Sequence, residues 1–325
     1  MIANPTRVLL LTLVGAACAG GRGTGPMERV VIPEGVGLGT AAESLAAHGL
    51  ISSQSWFAIL GRLGRYHRSI KPGMYDIPQG TSARAILDML KRGEVVTLRF
   101  TVPEGLTIAE VAQLAQAELD IPSDSLELAA RDTILLRQLG IEGNSAEGFL
   151  APQTYTIPGL STARDLVQIM IKQFNRSWDP AWDDSLGSRG LSRLEAVTLA
   201  SIVEGEAQLD EERPIIAGVY LNRLRLGMAL QADPTVQYTI QLATGSRKSR
   251  LFEKDYDTPS PYNTYLHPGL PPGPVGSPGV NSLDAVMAPA TVPWLYFVAS
   301  GGGRHTFSRT YQEHLRAVAQ VRRER

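Results

Sequence analysis

VVIPEGVGLGTAAESLAAHGLI, residues 30–51, has a counterpart in RFTVPEGLTIAEVAQLAQAEL, residues 99–119. In each, a short β-prone run reaches Pro-Glu-Gly, at Ile32-Pro33-Glu34-Gly35 and Val102-Pro103-Glu104-Gly105, and apolar residues at helical spacing come next. The likeness continues downstream. Tyr75-Asp76-Ile77-Pro78 is matched by Tyr155-Thr156-Ile157-Pro158, and Ala83-Arg84 by Ala163-Arg164 at the same spacing. Both copies then enter amphipathic runs, ARAILDMLKRG and ARDLVQIMIKQF. Each copy therefore reads as strand, helix, strand, helix, with Pro-Glu-Gly turning the first strand into its helix. The fold class is α+β: a small strand–helix unit over 28–96, a second repeat-like unit over 97–176, and a mixed α+β domain over 177–325. Shallow grooves of such modules suit an extended polymer, and no catalytic residue is expected in either copy.

The chain has 325 residues, 43% of them hydrophobic, with a formal net charge of −1. Its 19% of charged residues fall below the usual quarter, which argues against both disorder and nucleic-acid binding. The first 20 residues stand apart. Arg7 precedes an apolar run from Val8 to Ala17, shorter than the roughly 20 residues that cross a bilayer. It fits the apolar region of an export signal or a short membrane anchor. Cys18, the only cysteine, is a lipidation candidate, although Gly15 stands where such signals usually carry Leu. With one cysteine no internal disulfide can form, so an exported domain depends on its core.

Residues 199–214, LASIVEGEAQLDEERP, carry an apolar helix into a cluster of acids. Leu194, Val197 and Ser201 form a stripe whose next member is Glu204; Leu199 and Ile202 lead in the same way to Glu206. Periodicity leaves the two acids level. A carboxyl half-buried against apolar residues keeps its proton to higher pH and can donate it to a leaving oxygen. The plainer reading is a pair of solubilising acids at a helix end. Asp210, Glu211 and Glu212 read as a solvated turn before Pro214. Trp178 and Trp182, four apart, read as a packing pair. Farther on, residues 260–282 form a long Pro/Gly segment headed by Tyr262, Asn263 and Tyr265, which reads as the ordered wall of a cleft. VPWLYFVAS and GGGRHTFSRT then read as a buried strand and its return strand.

SIVEGEA, YLNRLRLGMALQADPTVQY, TPSPYNTY, GLPPGPVGSPG and YFVASGGGRHTFS, in this order, resemble the endolytic murein transglycosylases, the MltG/YceG-like family. IPEG, KPGMYDIPQGTS and AEGFLAPQTY extend the likeness from about Val30 to the C-terminus. The resemblance implies a membrane-attached enzyme facing the periplasm or cell wall, with a LysM-like module before its catalytic region. It would cut nascent peptidoglycan glycan strands internally and leave 1,6-anhydro-N-acetylmuramic acid ends. It implies Glu204, which closes the SIVE motif, as the catalytic residue, with Glu206 as a possible auxiliary. Gln231, Asp233, Asn263, Tyr265 and His305 are the candidates for positioning the glycan. No metal or organic cofactor is implied; the expected partners are glycan strands, the membrane through the N-terminus, and peptidoglycan synthases. Two departures stand out: a short apolar N-terminal segment in place of a full membrane helix, and Ser277 where the family often has Asn. A hydrolytic muramidase and a non-catalytic wall-binding protein are the competing readings.

Overall fold

The computed structural model describes residues 21–66 and 69–324, so the N-terminal segment with Cys18 lies outside the described residues. The chain forms two compact units, one running up to Leu98 and including Pro158–Leu160, the other made of Arg99–Ile157 and Ser161–Arg325. The architecture is α+β and mainly helical, with three two-stranded sheets among the described residues.

In the first unit, β1 (Met27–Ile32) pairs antiparallel with β2 (Gly73–Pro78), Val30 opposite Tyr75. Alternate residues of β2 point inward, as a strand's two-residue period requires. Three helices cover that face: α1 (Leu38–Ala47), α2 (Gln54–Leu63) and α3 (Ala83–Arg92). The Ser82 hydroxyl accepts from the Ala85 N–H to start α3, and Gly93, in the left-handed region at φ 71°, ends it. Val30, Leu45, Phe57, Tyr75, Ile86 and Leu90 are fully buried together, each large apolar side chain contributing roughly 1.5–3 kcal/mol by leaving water.

The repeat's other copy, most of it in the second unit, comprises β3 (Thr97–Thr101), α4 (Ile108–Leu119), α5 (Ser123–Ala129), α6 (Thr133–Gln138), β4 (Thr154–Pro158) and α7 (Ala163–Ser177). The paired tyrosines play one role in both copies. The Tyr75 hydroxyl donates to the Lys71 carbonyl and the Tyr155 hydroxyl to the Ala151 carbonyl, each four residues upstream. Unlike the first copy, the second shares its core with the C-terminal half of the chain: Phe100, Val111 and Met170 belong to one buried cluster with Val197, Ile202 and Val286. Trp178 and Trp182 meet edge to face with centroids 5.1 Å apart, the packing pair their spacing suggested. The segment after α7 forms α8 (Ala181–Arg189).

At the centre of this unit lies α9 (Arg193–Glu206), begun by a capping box between Ser192 and Glu195. Every residue from Ala196 to Val203 is buried. Around it pack α10 (Arg213–Arg225), α11 (Asp233–Thr244) and α12 (Val280–Met287). The expected strand pair is a hairpin, β5 (Tyr296–Gly301) and β6 (Arg304–Ser308), half-exposed where burial was expected, and α13 (Tyr311–Glu324) comes after it. Among the described residues no helix is long and apolar enough to cross a membrane.

One buried acid in this core serves the fold. Glu147 accepts from the Ile108 N–H at 3.1 Å, at the start of α4, and from the Tyr238 hydroxyl at 3.1 Å. Burial pushes its carboxyl up to about 7, against the opposing pull of those two donors. Its ordinary value is 4.5, so as pH rises from about 4.5 to 7 the unfolded chain sheds this proton while the folded protein keeps it. Stability therefore falls across that window and levels off above it. At about 1.4 kcal/mol for each tenfold change in proton affinity, the loss has an upper limit of roughly 3 kcal/mol. Thermal melts of wild type and Glu147→Gln at pH 5 and pH 8 check this: the difference between the two pH values shrinks in the variant.

Candidate active site

Two residues along an α-helix is a rotation of about 200°, so Glu204 and Glu206 leave the last turn of α9 on opposite sides. Gly205 stands between them for a steric reason. A Cβ there would lie 2.5 Å from Pro234 Cγ, so glycine admits the first turn of α11 against the end of α9. That contact brings the Asp233 N–H into hydrogen-bond reach of Glu206.

Glu206 faces a cavity of about 310 Å³. Its Oε1 accepts from the Tyr220 hydroxyl at 2.8 Å, and Tyr220 is itself buried on α10. Burial pushes the Glu206 carboxyl up to about 7; the Asp233 charge adds to the rise, and the bonds from Tyr220 and the Asp233 N–H oppose it. The Tyr220 phenol is raised well above its ordinary value by burial and by Glu206, so it remains a donor. A carboxyl in this setting is half protonated near neutral pH, the condition a general acid needs.

Four of the five expected glycan-positioning residues line this cavity: Gln231, Asp233, Tyr265 and His305. Asp233 Oδ1 accepts from the Tyr265 hydroxyl at 2.7 Å. Burial, followed by that bond, raises the Tyr265 phenol far above its ordinary range. The Tyr256 ring packs on Tyr265 with centroids 4.5 Å apart, giving the cavity an aromatic wall. Gln231 occupies the left-handed region at φ 51° and is pinned by its N–H to the Thr264 carbonyl at 3.1 Å. His305 on β6 donates its backbone N–H to Glu212 Oε1 at 3.0 Å, and its Nδ1 lies 2.7 Å from Glu212 Oε2. With a carboxylate as acceptor Nδ1 carries the proton, which orients the ring.

The fifth, Asn263, is elsewhere. It is fully buried, its amide donates to the Tyr256 and Thr258 carbonyls at 2.8 and 2.9 Å, and its Oδ1 accepts from the Tyr265 N–H at 3.0 Å. It braces the loop that carries the two tyrosines and does not line the cavity. Glu204 is also absent from the lining. Its Oε1 pairs with Arg213 Nη2 at 3.0 Å, and its Oε2 accepts from the Gly279 N–H at 2.9 Å and the Ser282 hydroxyl at 2.8 Å.

Several residues of the site carry no signal in their own sequence pattern. Glu212 sits in a run of acids that reads as a solvated turn, yet it is buried and holds His305. Tyr220 and Arg223 lie three apart on α10, a spacing that marked them only as helix; Arg223 lines the cavity and donates to the Leu295 and Leu230 carbonyls, both at 2.6 Å. Glu104, in the second Pro-Glu-Gly turn, comes to 4.0 Å from Arg213 Nη2 although no functional residue was expected in the repeat.

Comparison with known proteins bears on what this arrangement serves. The model of the YceG-like family matches residues 30–320. A Bacillus subtilis protein named endolytic murein transglycosylase is 30% identical over 302 residues, covering 88% of this chain and 82% of the relative. A Streptococcus pneumoniae serotype 2 protein of the same name is 30% identical over 320 residues, covering 90% of this chain and 58% of that longer protein. A 2.6 Å crystal structure of a putative yceG-like protein from Listeria monocytogenes superposes with a TM-score of 0.61 at 28% identity, over 90% of this chain and 99% of that one. The family motifs, the α+β architecture and the match over nearly the whole described chain agree, and the chain belongs to the YceG-like family.

Proposed function

We propose that this protein is an endolytic murein transglycosylase: it cleaves the bond between N-acetylmuramic acid and N-acetylglucosamine inside peptidoglycan glycan strands and leaves 1,6-anhydromuramyl ends. The relatives' shared name supports the reaction class, and a water-using muramidase is not favoured. The single observation that supports the chemistry is the pair of carboxyls at the end of α9: Glu204, held by Arg213, the Gly279 N–H and the Ser282 hydroxyl, and Glu206, half-buried beside a cavity rimmed by hydrogen-bonding groups. We assign the acid role to Glu204, the residue the family motif singles out, and an auxiliary role to Glu206, which faces the cavity that gathers Gln231, Asp233, Tyr265 and His305.

In this reading Glu204 gives its proton to the glycosidic oxygen as the bond to the muramyl C1 breaks. The carboxylate left behind accepts the proton of the same sugar's C6 hydroxyl, whose oxygen closes on C1. One proton leaves Glu204 and one returns, no water is consumed, and no second carboxylate has to act as nucleophile, in contrast to a two-carboxylate glycosidase. Asp233 keeps its bond to Tyr265, and its charge adds to the rise of the auxiliary Glu206. Tyr256 and Tyr265 offer ring faces, and Gln231 and His305 polar groups, to the sugars.

The first repeat is read as a LysM-like module and the second as its relative, both suited to an extended strand. Attachment to the cell membrane through the N-terminal segment, with Cys18 as lipidation candidate, exposure to the periplasm or cell wall, and recruitment by peptidoglycan synthases complete the proposal.

Mass spectrometry of un-crosslinked glycan strands after digestion tests the reaction. Wild type yields internal fragments with anhydromuramyl ends, and Glu204→Gln loses about 10²–10⁴-fold in rate. Products one water heavier would make the enzyme a hydrolase, and a fully active Glu204→Gln would remove the acid assigned here. The pH profile supplies a second check. The auxiliary Glu206 changes charge near 7, so kcat changes across that region in wild type, and Glu206→Gln flattens the change. The Tyr220 bond favours the charged form, so Tyr220→Phe moves the change to higher pH; a change that stays put or moves down contradicts the auxiliary role.

A further inference from the structure

We propose that Glu104, carried by the second Pro-Glu-Gly turn, is a positioning residue of this reaction: it balances the charge of Arg213 while Glu204 holds the proton destined for the leaving oxygen. The proposal rests on Glu204 as the acid. Its ground is one guanidinium placed between two carboxylates. Arg213 Nη2 lies 3.0 Å from Glu204 Oε1 and 4.0 Å from Glu104 Oε2. The other donors of Arg213 have partners of their own: Nε meets Asp210 Oδ1 at 3.1 Å, and Nη1 the Ala207 carbonyl at 3.4 Å. Nη2 is therefore the group that serves both glutamates. The side chains of Arg213 and Glu204 are only 8% exposed, whereas that of Glu104 is 48% exposed. Glu104 thus stands where this cluster meets solvent, on the open side of the acid.

Backbone bonds fix where Glu104 stands. The Gly105 N–H donates to the Ser277 carbonyl at 2.7 Å, the Ser277 N–H to the Leu106 carbonyl at 2.8 Å, and Arg247 Nη1 to the Gly105 carbonyl at 2.9 Å. The Glu104 carboxylate takes part in none of these bonds, so an isosteric change of it leaves the turn in place. The two glutamates converge on Gly279. Its N–H donates to Glu204 Oε2 at 2.9 Å, and a Cβ there would collide with Glu104 Oε1, so glycine leaves room for the second carboxylate. The first repeat supplies the comparison. Gly35 has nearly the backbone conformation of Gly105, but a Cβ on Gly35 would meet nothing within 4 Å, whereas one on Gly105 would lie 3.8 Å from Glu204 Cγ.

A buried guanidinium needs a counter-charge at every stage of the reaction. While Glu204 is a carboxylate, it supplies one at 3.0 Å. Once Glu204 carries the proton that charge is gone, and Glu104 is the other acid on the same nitrogen. Burial, and next the charge of Glu204, raise the Glu104 carboxyl, and Arg213 opposes them. Protonating Glu204 removes the second of these causes, so Glu104 is left as the carboxylate beside Arg213. When the proton passes to the glycosidic oxygen, Glu204 regains its charge and draws Nη2 back, with the Gly279 N–H and the Ser282 hydroxyl as its other donors. Donors already aimed at a charge as it develops stabilise the transition state. The only proton transferred is the one Glu204 gives up; arginine keeps all of its own.

The experiment measures kcat and KM of anhydromuramyl-end formation by the full chain, with a thermal melt of each variant to show that it is folded. It compares wild type, Glu104→Gln, Glu104→Asp, Glu34→Gln and Glu204→Gln. Glu104→Gln keeps the shape and removes the charge; it is expected to lower kcat roughly tenfold to a hundredfold, the scale of a small misplacement beside the chemistry, with KM near that of wild type. Glu104→Asp restores the charge and recovers part of the loss. Glu34→Gln, in the corresponding turn of the first repeat, behaves as wild type. Should Glu104→Gln not fold, Glu104→Ala takes its place with the same expectation. Wild-type kcat in folded Glu104→Gln, a change confined to KM, or a Glu104→Asp as impaired as Glu104→Gln, each beside an inactive Glu204→Gln, overturns this proposal and leaves the acid in place. An active Glu204→Gln removes the acid and overturns both.

Discussion

The chemistry of this protein hangs on a helix with no solvent face. From Ala196 to Val203 the residues of α9 are buried in succession, enclosed by α10, α11 and α12. A helix apolar all round can exist only in the middle of a core. Acids at its end inherit that enclosure, and an enclosed acid must either find donors or keep its proton. Glu204 and Glu206 meet different surroundings. One is met by a guanidinium, an N–H and a hydroxyl; the other has a phenol and a backbone N–H and opens onto a cavity. The residue between them is glycine because the enclosing element is the first turn of α11, too close for a Cβ.

Much of the fold was legible because local pattern carries it. The duplication, the two Pro-Glu-Gly turns, the amphipathic α3 and α7 with their Ser82 and Thr162 caps, the Trp178–Trp182 pair and the final hairpin all come from spacing and turn chemistry. The site was legible in part. The family motifs drew attention to Gln231, Asp233, Tyr265 and His305, which the fold gathers at one cavity. They could not tell a residue that faces the cavity from one that supports its wall. Asn263 sits between Tyr262 and Thr264 in a stretch where every residue looks equally available for sugar, and only the closed loop shows its amide spent on backbone carbonyls.

Periodicity could not separate the two glutamates for a sharper physical reason. Helical periodicity separates a buried stripe from an exposed one, and α9 has no exposed stripe through its middle to serve as reference. Glu212 escaped by the opposite route. Three successive acids before a proline look solvated, but the hairpin brings His305 back across some ninety residues to pair with the third of them. Long-range partners of this kind leave no trace in local composition.

The repeat shows how one motif comes to do two things. Glu34 in the first Pro-Glu-Gly turn is exposed, as a turn residue between a strand and a helix normally is. Glu104 in the second stands in the same local conformation, with Gly105 next to it at φ 78° where Gly35 has φ 73°. The difference comes from the surroundings. The second turn is bonded through Gly105 and Leu106 to Ser277, and Gly279 two residues later is bonded to Glu204. Duplication supplied a turn that places a carboxylate at a fixed point, and the shared core of the second unit set that point beside Arg213 and Glu204. A motif is a statement about backbone geometry; its chemistry is decided by what the core brings within 4 Å of it.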